Sequence, residues 1–478
     1  ADPKKECEDH GKARTPGGDD NGLLENPHNP RRYKSMKAAG YSDAAIDSSF
    51  RKPVTMTIFS WNGGQERKTI TPLDSLQYYL LLLNAGFVAM DHANGQIKAW
   101  VGGIHHRFFQ YDHVTSRRQA GSTFKPIVYT QALLQGLSPC DYFPNELITY
   151  PEYENWQPRN SDGQYGGLYS MAGGLSESVN TVAVGVIMET GINPVIQLAH
   201  NMGIEADIPK VPSIALGTAE VSLYDLIQAY GTLASRGVRP EPNFLTAVLT
   251  STGDTIAVFR SNREKFQRVL PANTTAMITD MLETVIDSGT ANRLRYQYGL
   301  GGGIAGKTGT TQNQSDGWFI GYTPRLVAGA WVGAEWPQIH FRSLRQGQGA
   351  HMALPIWGKF FQKAYKDPAF QRWQRYSFPP LPDSVRWEME CPPYIEDDQP
   401  PEWELVTEDG PIRQILDIFR DKGGEDPGPT AEDQSPSGRI PSEQAEEIRK
   451  RNEKLERKRE RQRKRKDFLD KVLKKEEQ

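Results

Sequence analysis

Alternation of apolar and polar residues marks the first candidate strand, over residues 54–59. A hairpin follows, with strands at 86–91 and 96–101 and an Asn94-Gly95 turn signal between them. Three further strand-like runs occur later in the chain, at 305–311, 317–322 and 326–332. The pattern therefore predicts strands on both sides of the middle of the chain.

A helical period predicts helices in that middle part. The clearest covers 273–288, where five apolar residues fall on one face: Met277, Ile278, Met281, Leu282 and Val285. The pattern predicts further helices at 31–39, 75–84, 122–135, 182–188 and 223–235. Pro126 would lie in the first turn of its helix, where proline is tolerated. Strands on either side of a helical block predict an α+β fold, an antiparallel β-sheet flanked by helices with an all-helical subdomain.

Charge separates two segments at the C-terminal end. Residues 383–433 hold 16 Asp and Glu against 4 Lys and Arg, whereas 442–478 hold 15 Lys and Arg against 10 Asp and Glu. We predict four regions: an N-terminal linker or interdomain region (1–72), a main domain (73–375), a disordered acidic linker rich in Pro and Gly (376–440), and a basic helix or tail (441–478). A solvated charged helix explains the basic tract better than nucleic-acid binding does, because acidic and basic residues recur four positions apart.

The bulk composition is that of an ordinary globular protein with room for two or more domains, since 478 residues carry 24% charged and 37% hydrophobic residues. No run of 18 apolar residues occurs, so we predict no membrane span in this chain. Residues 1–22 do not resemble a signal peptide, so the targeting segment of an exported protein would lie outside this chain. Three cysteines are too few for a disulfide scaffold. Cys140 with Cys391 is the better pairing, and isolated thiols are an equally open alternative.

Three short motifs carry the candidate chemistry: Ser122-Thr123-Phe124-Lys125, Ser178-Val179-Asn180 and Lys307-Thr308-Gly309-Thr310. They have the forms S-x-x-K, S-x-N and K-T-G that occur together in serine acyl-transfer sites. The gaps between them are long enough for a helical subdomain. A second S-x-x-K begins at Ser49 and a second S-x-N at Ser60, but these two nearly adjoin and are interpreted as chance matches.

The first two motifs would supply a nucleophile and its base. A serine hydroxyl becomes nucleophilic when a base accepts its proton, and residues three apart on a helix share a face, so Lys125 would lie one turn from Ser122. Burial and a cation at Lys307 would lower the pKa of Lys125. Ser178 could relay a proton to the leaving amine, and Asn180 could hold Lys125 and a substrate carbonyl. Which group takes the first proton stays open.

The third motif would bind the rest of the substrate. We predict an oxyanion hole made by the backbone N–H groups of Ser122 and Thr310, because a helix start and an edge strand both present free donors. Gly309 would allow a substrate backbone to approach closely, and Thr308 and Thr310 would join Lys307 in receiving a carboxylate. In a purely structural alternative, Thr308 is a surface residue of a strand, and the side chains of Ser178 and Asn180 cap a helix.

Aromatic and histidine clusters give weaker signals. Trp156, with Tyr150, Tyr153 and Tyr165, is a candidate for lining a groove that holds the substrate, and loop packing is the safer alternative. The cluster of His105, His106 and His113 fits no standard zinc spacing, so we predict a polar loop and no metal site.

Wider segments around the motifs resemble the penicillin-binding proteins, specifically the transpeptidase domain of the bifunctional class A group. The segments that carry the resemblance are 118–126, 178–181, 306–311, 316–321, 86–91 and 99–103. The similarity covers roughly residues 72–365 and implies the penicillin-binding protein/β-lactamase-like transpeptidase fold.

The resemblance implies a D,D-transpeptidase that cross-links peptidoglycan stem peptides through a serine acyl-enzyme and releases D-alanine. It implies no metal or organic cofactor, and it implies acylation of Ser122 by β-lactams. Stem peptides and cell-wall synthesis proteins would be its partners, with no nucleic acid. The expected location is the periplasmic or extracytoplasmic face of the bacterial membrane, where a segment outside this chain would anchor the parent protein.

Class A proteins also carry a membrane helix and a glycosyltransferase domain. Nothing in residues 1–72 resembles that domain, and the acidic segment 6–10 matches its motif only superficially. We therefore expect no glycosyl transfer by this chain.

Three alternatives to transpeptidation remain. A β-lactamase would need a segment such as E-x-E-L-N between Ser178 and Lys307, and the nearest candidate, at Glu241, has the wrong order. A D,D-carboxypeptidase would use water as acceptor, a choice that depends on groove shape. A non-catalytic β-lactam sensor would keep the motifs, but nothing here resembles a transmembrane signalling partner.

Overall fold

The structure is a computed structural model that describes residues 31–259, 266–386 and 389–396. The helices are α1 Arg31–Ala38, α2 Asp43–Arg51, α3 Pro72–Leu80, α4 Lys125–Leu134, α5 Met171–Ser176, α6 Asn180–Thr190, α7 Ile192–Asn201, α8 Leu223–Ala234, α9 Ala272–Asp287, α10 Arg293–Tyr296, α11 Leu344–Gly347, α12 Gly349–Met352, α13 Leu354–Ala364 and α14 Asp383–Arg386. Short 3₁₀ segments lie at Gly121–Phe124, Pro151–Tyr153, Pro212–Leu216, Gln312–Gln314 and Gln371–Arg375.

The strands are β1 Val54–Ile58, β2 Glu66–Ile70, β3 Leu83–Asp91, β4 Gln96–Val101, β5 Arg117–Gln119, β6 Tyr142–Pro144, β7 Leu168–Ser170, β8 Glu220–Ser222, β9 Val238–Arg239, β10 Ala247–Leu249, β11 Thr255–Val258, β12 Gln267–Arg268, β13 Ala305–Thr310, β14 Asp316–Tyr322, β15 Val327–Ala334 and β16 Tyr394–Ile395. Five of them form the central sheet, in the order β13-β14-β15-β3-β4. Every neighbouring pair in that sheet is antiparallel. The strand that carries Lys307 lies at one edge, as the sequence predicted.

Helices cover both faces of this sheet, which explains why β14 and β15 are buried along their whole lengths. On one face, α8 places Leu223 and Ile227 against Gly329, where an added Cβ would lie 2.7 Å from the Leu223 side chain. On the other face, Trp357 of α13 packs edge-on against Phe319 and donates its Nε1–H to Ala328 O at 3.1 Å. The predicted combination of an antiparallel sheet with flanking helices is confirmed.

One predicted helix begins and ends earlier than expected. The segment predicted at 75–84 is α3, Pro72–Leu80, and Asn84 belongs to β3. A capping box sets the start: Asp74 N–H donates to Thr71 Oγ1 at 3.0 Å, and Thr71 N–H donates to Asp74 Oδ2 at 3.3 Å. The chain then leaves the helix because Leu83 pairs with Ala334 in the central sheet.

A disulfide joins Cys140 to Cys391, with their Cα atoms 5.7 Å apart. Beside it, β16 pairs with β7, and Tyr142 donates its hydroxyl to Pro392 O at 2.7 Å. The first part of the predicted acidic linker is therefore held against the main domain where the structure describes it. The rest of that linker and the basic tail, from residue 397 onward, lie outside the described residues, and the four predicted regions stay predictions.

Within the described ranges, no single helix has the length and apolar character needed to cross a membrane. The pair α6 and α7 meets that test only as two helices joined at a 94° bend.

Candidate active site

The segment that carries Ser122 is a tight turn in front of α4. Gly121 has φ +55°, and a Cβ there would lie 2.7 Å from Thr310 O, so the position requires glycine for both conformation and space. Ser122 follows in the 3₁₀ segment, and Lys125 N–H donates to Ser122 O. The helix predicted at 122–135 is thus a 3₁₀ turn that continues into α4, and it places Ser122 at the helical N-terminus.

Lys125 lies one turn further on and is fully buried. Its Nζ is 2.8 Å from Asn180 Oδ1, 3.3 Å from Ser178 Oγ and 2.5 Å from Ser178 O. Burial lowers the pKa of Lys125 well below its usual value, and the nearby charge of Lys307 lowers it further. The structure therefore brings together the first two motifs around one lysine whose neutral form is favoured.

Ser178 adopts an unusual backbone conformation between α5 and α6, with φ +63°. A side chain in the left-handed region costs about 1–2 kcal/mol, so the surrounding structure must impose it. Val179 N–H donates to Gly174 O at 2.9 Å and closes this turn. The result is that Ser178 O and Ser178 Oγ both face Lys125. The sequence indicated neither the backbone conformation nor the carbonyl contact.

Asn160 is a residue of the site region that sequence reasoning missed. Its Oδ1 accepts the backbone N–H groups of Asn180 and Thr181 at 2.9 and 3.2 Å, and so caps the first turn of α6. Asn180 Nδ2 donates to Arg159 O at 2.8 Å, which turns its oxygen toward Lys125. The proposed capping of a helix by Ser178 or Asn180 themselves is not observed, because this distant side chain does it.

Lys307 lies on β13 with its side chain fully buried. Burial lowers the pKa of Lys307 to about 7, and the Glu177 carboxylate acts in the opposite direction. The neighbouring Thr308 is also buried, not a surface residue, and its hydroxyl lies 3.0 Å from the Thr290 hydroxyl. Lys307 therefore has a charge that changes near neutral pH.

The last part of the motif contacts two other segments. A Cβ on Gly309 would lie 2.8 Å from the Thr123 side chain and 2.9 Å from Ala120 O, so the absence of a side chain there also allows the nucleophile turn to pack. The Thr310 hydroxyl accepts Gly349 N–H at 3.0 Å. Gly349 is the second residue that sequence reasoning missed, since nothing in its local pattern points to β13.

Asp316 joins the strand before Ser122 to the loop after Thr310. It is buried, and its carboxylate accepts Trp331 Nε1–H at 3.0 Å and lies 3.7 Å from Arg118 Nε. Its backbone N–H donates to Thr311 Oγ1 at 3.0 Å. This network connects β5, which precedes Ser122, to the loop that follows β13 at one end of the site.

The aromatic cluster and the histidines contact other side chains of the fold. Trp156 is half-buried, its ring lies 6.0 Å from the Tyr150 ring, and its carbonyl accepts Tyr150 N–H at 2.9 Å. These contacts suit loop packing and leave its role in substrate binding a prediction. His105 packs on Phe59, and His113 stacks on Trp331. Across 31–259, 266–386 and 389–396, no group of three His, Cys, Asp or Glu side chains is placed to hold a metal ion.

Comparison with known proteins identifies the family. Residues 85–334, more than half of the chain, match the family model of the penicillin-binding protein transpeptidase domain. The chain belongs to the penicillin-binding protein transpeptidase family. A second model, of the penicillin-binding protein middle domain, matches residues 15–83. The resemblance seen in the motifs is confirmed, and membership supports serine acyl transfer in general.

Individual relatives agree with this assignment. Penicillin-binding protein 1A of Rickettsia typhi is 33% identical over 310 residues, which are 60% of this chain and 39% of that protein. The chain thus spans about two fifths of that relative's length. The crystal structure of penicillin-binding protein 1A from Haemophilus influenzae matches with a TM-score of 0.55 at 25% identity, over 65% of this chain and 50% of that one. PonA1 of Mycobacterium tuberculosis in complex with penicillin V shares the fold, with a TM-score of 0.55 at 22% identity over 76% of this chain and 97% of that one.

The charge of Lys307 predicts a pH dependence. Below a pKa of about 7 Lys307 is cationic and attracts a substrate carboxylate, and above it the charge is lost. We therefore expect the second-order rate constant for acylation by benzylpenicillin to fall as pH rises through this range. Lys307→Arg should move the fall to higher pH, because an arginine keeps its charge. Stopped-flow acylation with Lys98→Arg as the exposed control checks this, and superimposable profiles for wild type and Lys307→Arg would contradict it.

The contact between Gly349 and Thr310 predicts a structural requirement. A Cβ on Gly349 would lie 2.3 Å from both Gly309 O and Trp318 O, which are backbone atoms of two strands. Gly349→Ala is expected to lower the free energy of unfolding by about 1–3 kcal/mol through overpacking, and to slow penicillin acylation. Denaturant unfolding measures the first effect. Gly301→Ala, where the nearest atom is 3.5 Å away, is the matched control, and equal effects of the two variants would refute the requirement.

Proposed function

We propose that this chain is a D,D-transpeptidase that acts on peptidoglycan stem peptides ending in D-Ala–D-Ala, through an acyl-enzyme on Ser122. The observation that carries the proposal is the buried Lys125 amine, enclosed by Ser178 and Asn180 one helical turn from Ser122. Family membership supports serine acyl transfer in general. The substrate and the roles of individual residues are the parts that the proposal adds.

Activation of the nucleophile follows from the lysine environment. Neutral Lys125 accepts the Ser122 proton as Oγ attacks the carbonyl of the penultimate D-Ala. The proton then passes from Lys125 to the leaving amine through Ser178 Oγ, which lies 3.3 Å from Lys125 Nζ. The bond between the two D-alanines breaks, free D-alanine leaves, and the peptide remains as an ester on Ser122.

The transition-state oxyanion and the substrate carboxylate would be bound by neighbouring groups, with β13 contributing to both. The backbone N–H groups of Ser122, at a helical start, and Thr310, on the edge strand β13, would bind the oxyanion. Cationic Lys307, with Thr308 and Thr310, would receive the terminal carboxylate. The close packing of Gly121 against Thr310 fixes the two oxyanion donors relative to each other.

Deacylation reverses the same steps with an amine of a neighbouring strand as acceptor. Penicillin resembles the substrate in having an acylating carbonyl and a carboxylate, and PonA1, which shares this fold, was solved with penicillin V. The disulfide between Cys140 and Cys391 supports an oxidising, extracytoplasmic location, because disulfides persist in such compartments.

The proposal is tested by incubating the purified chain with an N-acylated peptide that ends in D-Ala–D-Ala and with an added amine. We expect D-alanine release together with a product in which the amine has joined the peptide, detected by mass. A shortened acid as the sole product would favour the carboxypeptidase alternative. Stable acylation of Ser122 by penicillin with no D-alanine release would favour a sensor and overturn the proposed activity.

A further inference from the structure

The segment that follows α9 contacts two of the elements that carry the motifs. Gly289 lies so close to the end of α5 that an added Cβ would be 2.5 Å from Ser176 Oγ and 2.6 Å from Ser176 O. The next residue, Thr290, donates its backbone N–H to Ser176 O at 3.4 Å, and its Oγ lies 3.0 Å from Thr308 Oγ. Thr290 therefore joins the end of α5, two residues before Ser178, to the edge strand β13.

Thr308 is held at both its backbone and its side chain. Lys307 Nζ donates to Thr308 O at 3.3 Å, the Thr308 hydroxyl contacts Thr290, and only 7% of Thr308 is exposed. A threonine on a strand is stiff about χ1, so the hydroxyl oxygen is fixed in place and its proton alone can turn. The remaining freedom of Thr308 is therefore the direction in which its O–H group donates.

The direction of this O–H group matters because a hydroxyl has a single proton to donate. If Thr308 donates to Thr290, it presents only lone pairs to a substrate carboxylate, and these repel the negative charge. If Thr290 donates to Thr308, the Thr308 proton is available to the carboxylate. Among the described residues, the Thr290 hydroxyl has no hydrogen-bond partner besides Thr308, so no other acceptor competes for its proton. The two hydroxyls can therefore form a chain of donors that ends at the substrate.

We propose that Thr290 is a positioning residue for recognition of the substrate carboxylate. Its hydroxyl donates to Thr308 Oγ and thereby directs the Thr308 proton to the carboxylate of a penicillin or of a peptide terminus. The proposal rests on the proposed function, from which it takes the role of Thr308 in receiving the carboxylate. It adds a residue outside the three motifs that determines the preference for anionic over neutral substrates.

Two acylating probes that differ only in the carboxylate test the proposal: benzylpenicillin and its methyl ester. Intact-mass spectrometry over time gives the second-order rate constant for acylation of Ser122 by each probe. Thr290→Val keeps the shape of the side chain and loses the hydroxyl. We expect this variant to react about tenfold more slowly with the acid and no more than about twofold more slowly with the ester. Thr290→Ser keeps a hydroxyl and should react within about twofold of the wild type with both probes.

A double-mutant cycle tests whether Thr290 acts through Thr308. Thr308→Val removes the hydroxyl that Thr290 orients, so adding Thr290→Val to that variant should change the rate constant for the acid by no more than about twofold. Thr284→Val is the matched control, because Thr284 is exposed on α9 and its hydroxyl donates to Asp280 O at 3.2 Å. This control should react with both probes as the wild type does.

Equal losses for the acid and the ester in Thr290→Val would show a merely structural role, and an unchanged constant for the acid would show no role. Either result overturns the proposal, as does a second loss of about tenfold when Thr290→Val is added to Thr308→Val. A wild type that reacts equally with the two probes recognises no carboxylate and overturns it too. D-Alanine release from a D-Ala–D-Ala peptide is measured on the same samples. A selective loss for the acid without any release by the wild type overturns the proposed function and supports the role of Thr290.

Discussion

Ser122→Ala is expected to abolish covalent labelling by a fluorescent penicillin and to lower kcat/KM for a D-Ala–D-Ala peptide by at least about 10⁴-fold. The reason is that the neighbouring hydroxyls are already engaged: Thr123 is buried and donates to Ala120 O at 2.7 Å, and the Ser178 hydroxyl accepts from Lys125 Nζ at 3.3 Å. Intact-mass spectrometry followed by peptide mapping measures the adduct. Circular dichroism of the variant confirms that the fold is retained.

The second S-x-x-K supplies the control for this prediction. Ser49 lies on α2, where its hydroxyl donates to Ile46 O at 2.8 Å, and Lys52 is exposed, so the second S-x-x-K lacks the buried lysine of the first. The fluorescent penicillin should therefore label Ser49→Ala as it labels the wild type. An adduct retained in Ser122→Ala, or lost in Ser49→Ala, would show that the nucleophile has been assigned wrongly.

Much of the fold was predictable because its signals are local. The hairpin of β3 and β4, the helices α8 and α9, and the three strands from β13 to β15 all follow from periodicity and turn residues within their own segments. The edge position of β13 was predictable because a strand that binds the oxyanion needs unpaired backbone N–H groups, which an edge strand presents. The predicted helix at 75–84 was misplaced at both ends, although the Thr71-Pro72 start and Asp74 were readable signals.

The remaining site features depend on contacts between distant parts of the chain. Asn160 lies in a turn-rich segment, yet nothing local indicates that it caps α6, and Gly349 gives no sign that it binds Thr310. The left-handed conformation of Ser178 is imposed by packing, and no glycine at that position indicates it in the sequence. The role of Trp156 in substrate binding stays a prediction, because its observed contact with Tyr150 suits loop packing equally well.

Lys125→Met is expected to reduce penicillin acylation by about 10²–10⁴-fold, the contribution typical of a positioned general base. Methionine fills a similar volume in the buried site but cannot accept the Ser122 proton. The expected loss is smaller than for Ser122→Ala, because the nucleophile and the oxyanion donors remain. Stopped-flow labelling measures it, and Lys98→Met, at an exposed lysine, is the control.

The same substitution separates catalysis from stability. A lysine whose pKa is lowered on folding binds fewer protons in the folded state, so burial of Lys125 destabilises the fold at neutral pH, and this cost shrinks as pH rises toward the usual lysine pKa. Methionine removes that cost but leaves the acceptors Asn180 Oδ1 and Ser178 O without their donor, which opposes the gain. Because the two effects oppose each other, we expect Tm to stay within about 4 °C of the wild type. If Lys125→Met is acylated within tenfold of the wild-type rate, Lys125 is not the base of the mechanism. If its Tm falls by much more than about 4 °C, the lysine holds the site together instead of serving as its base.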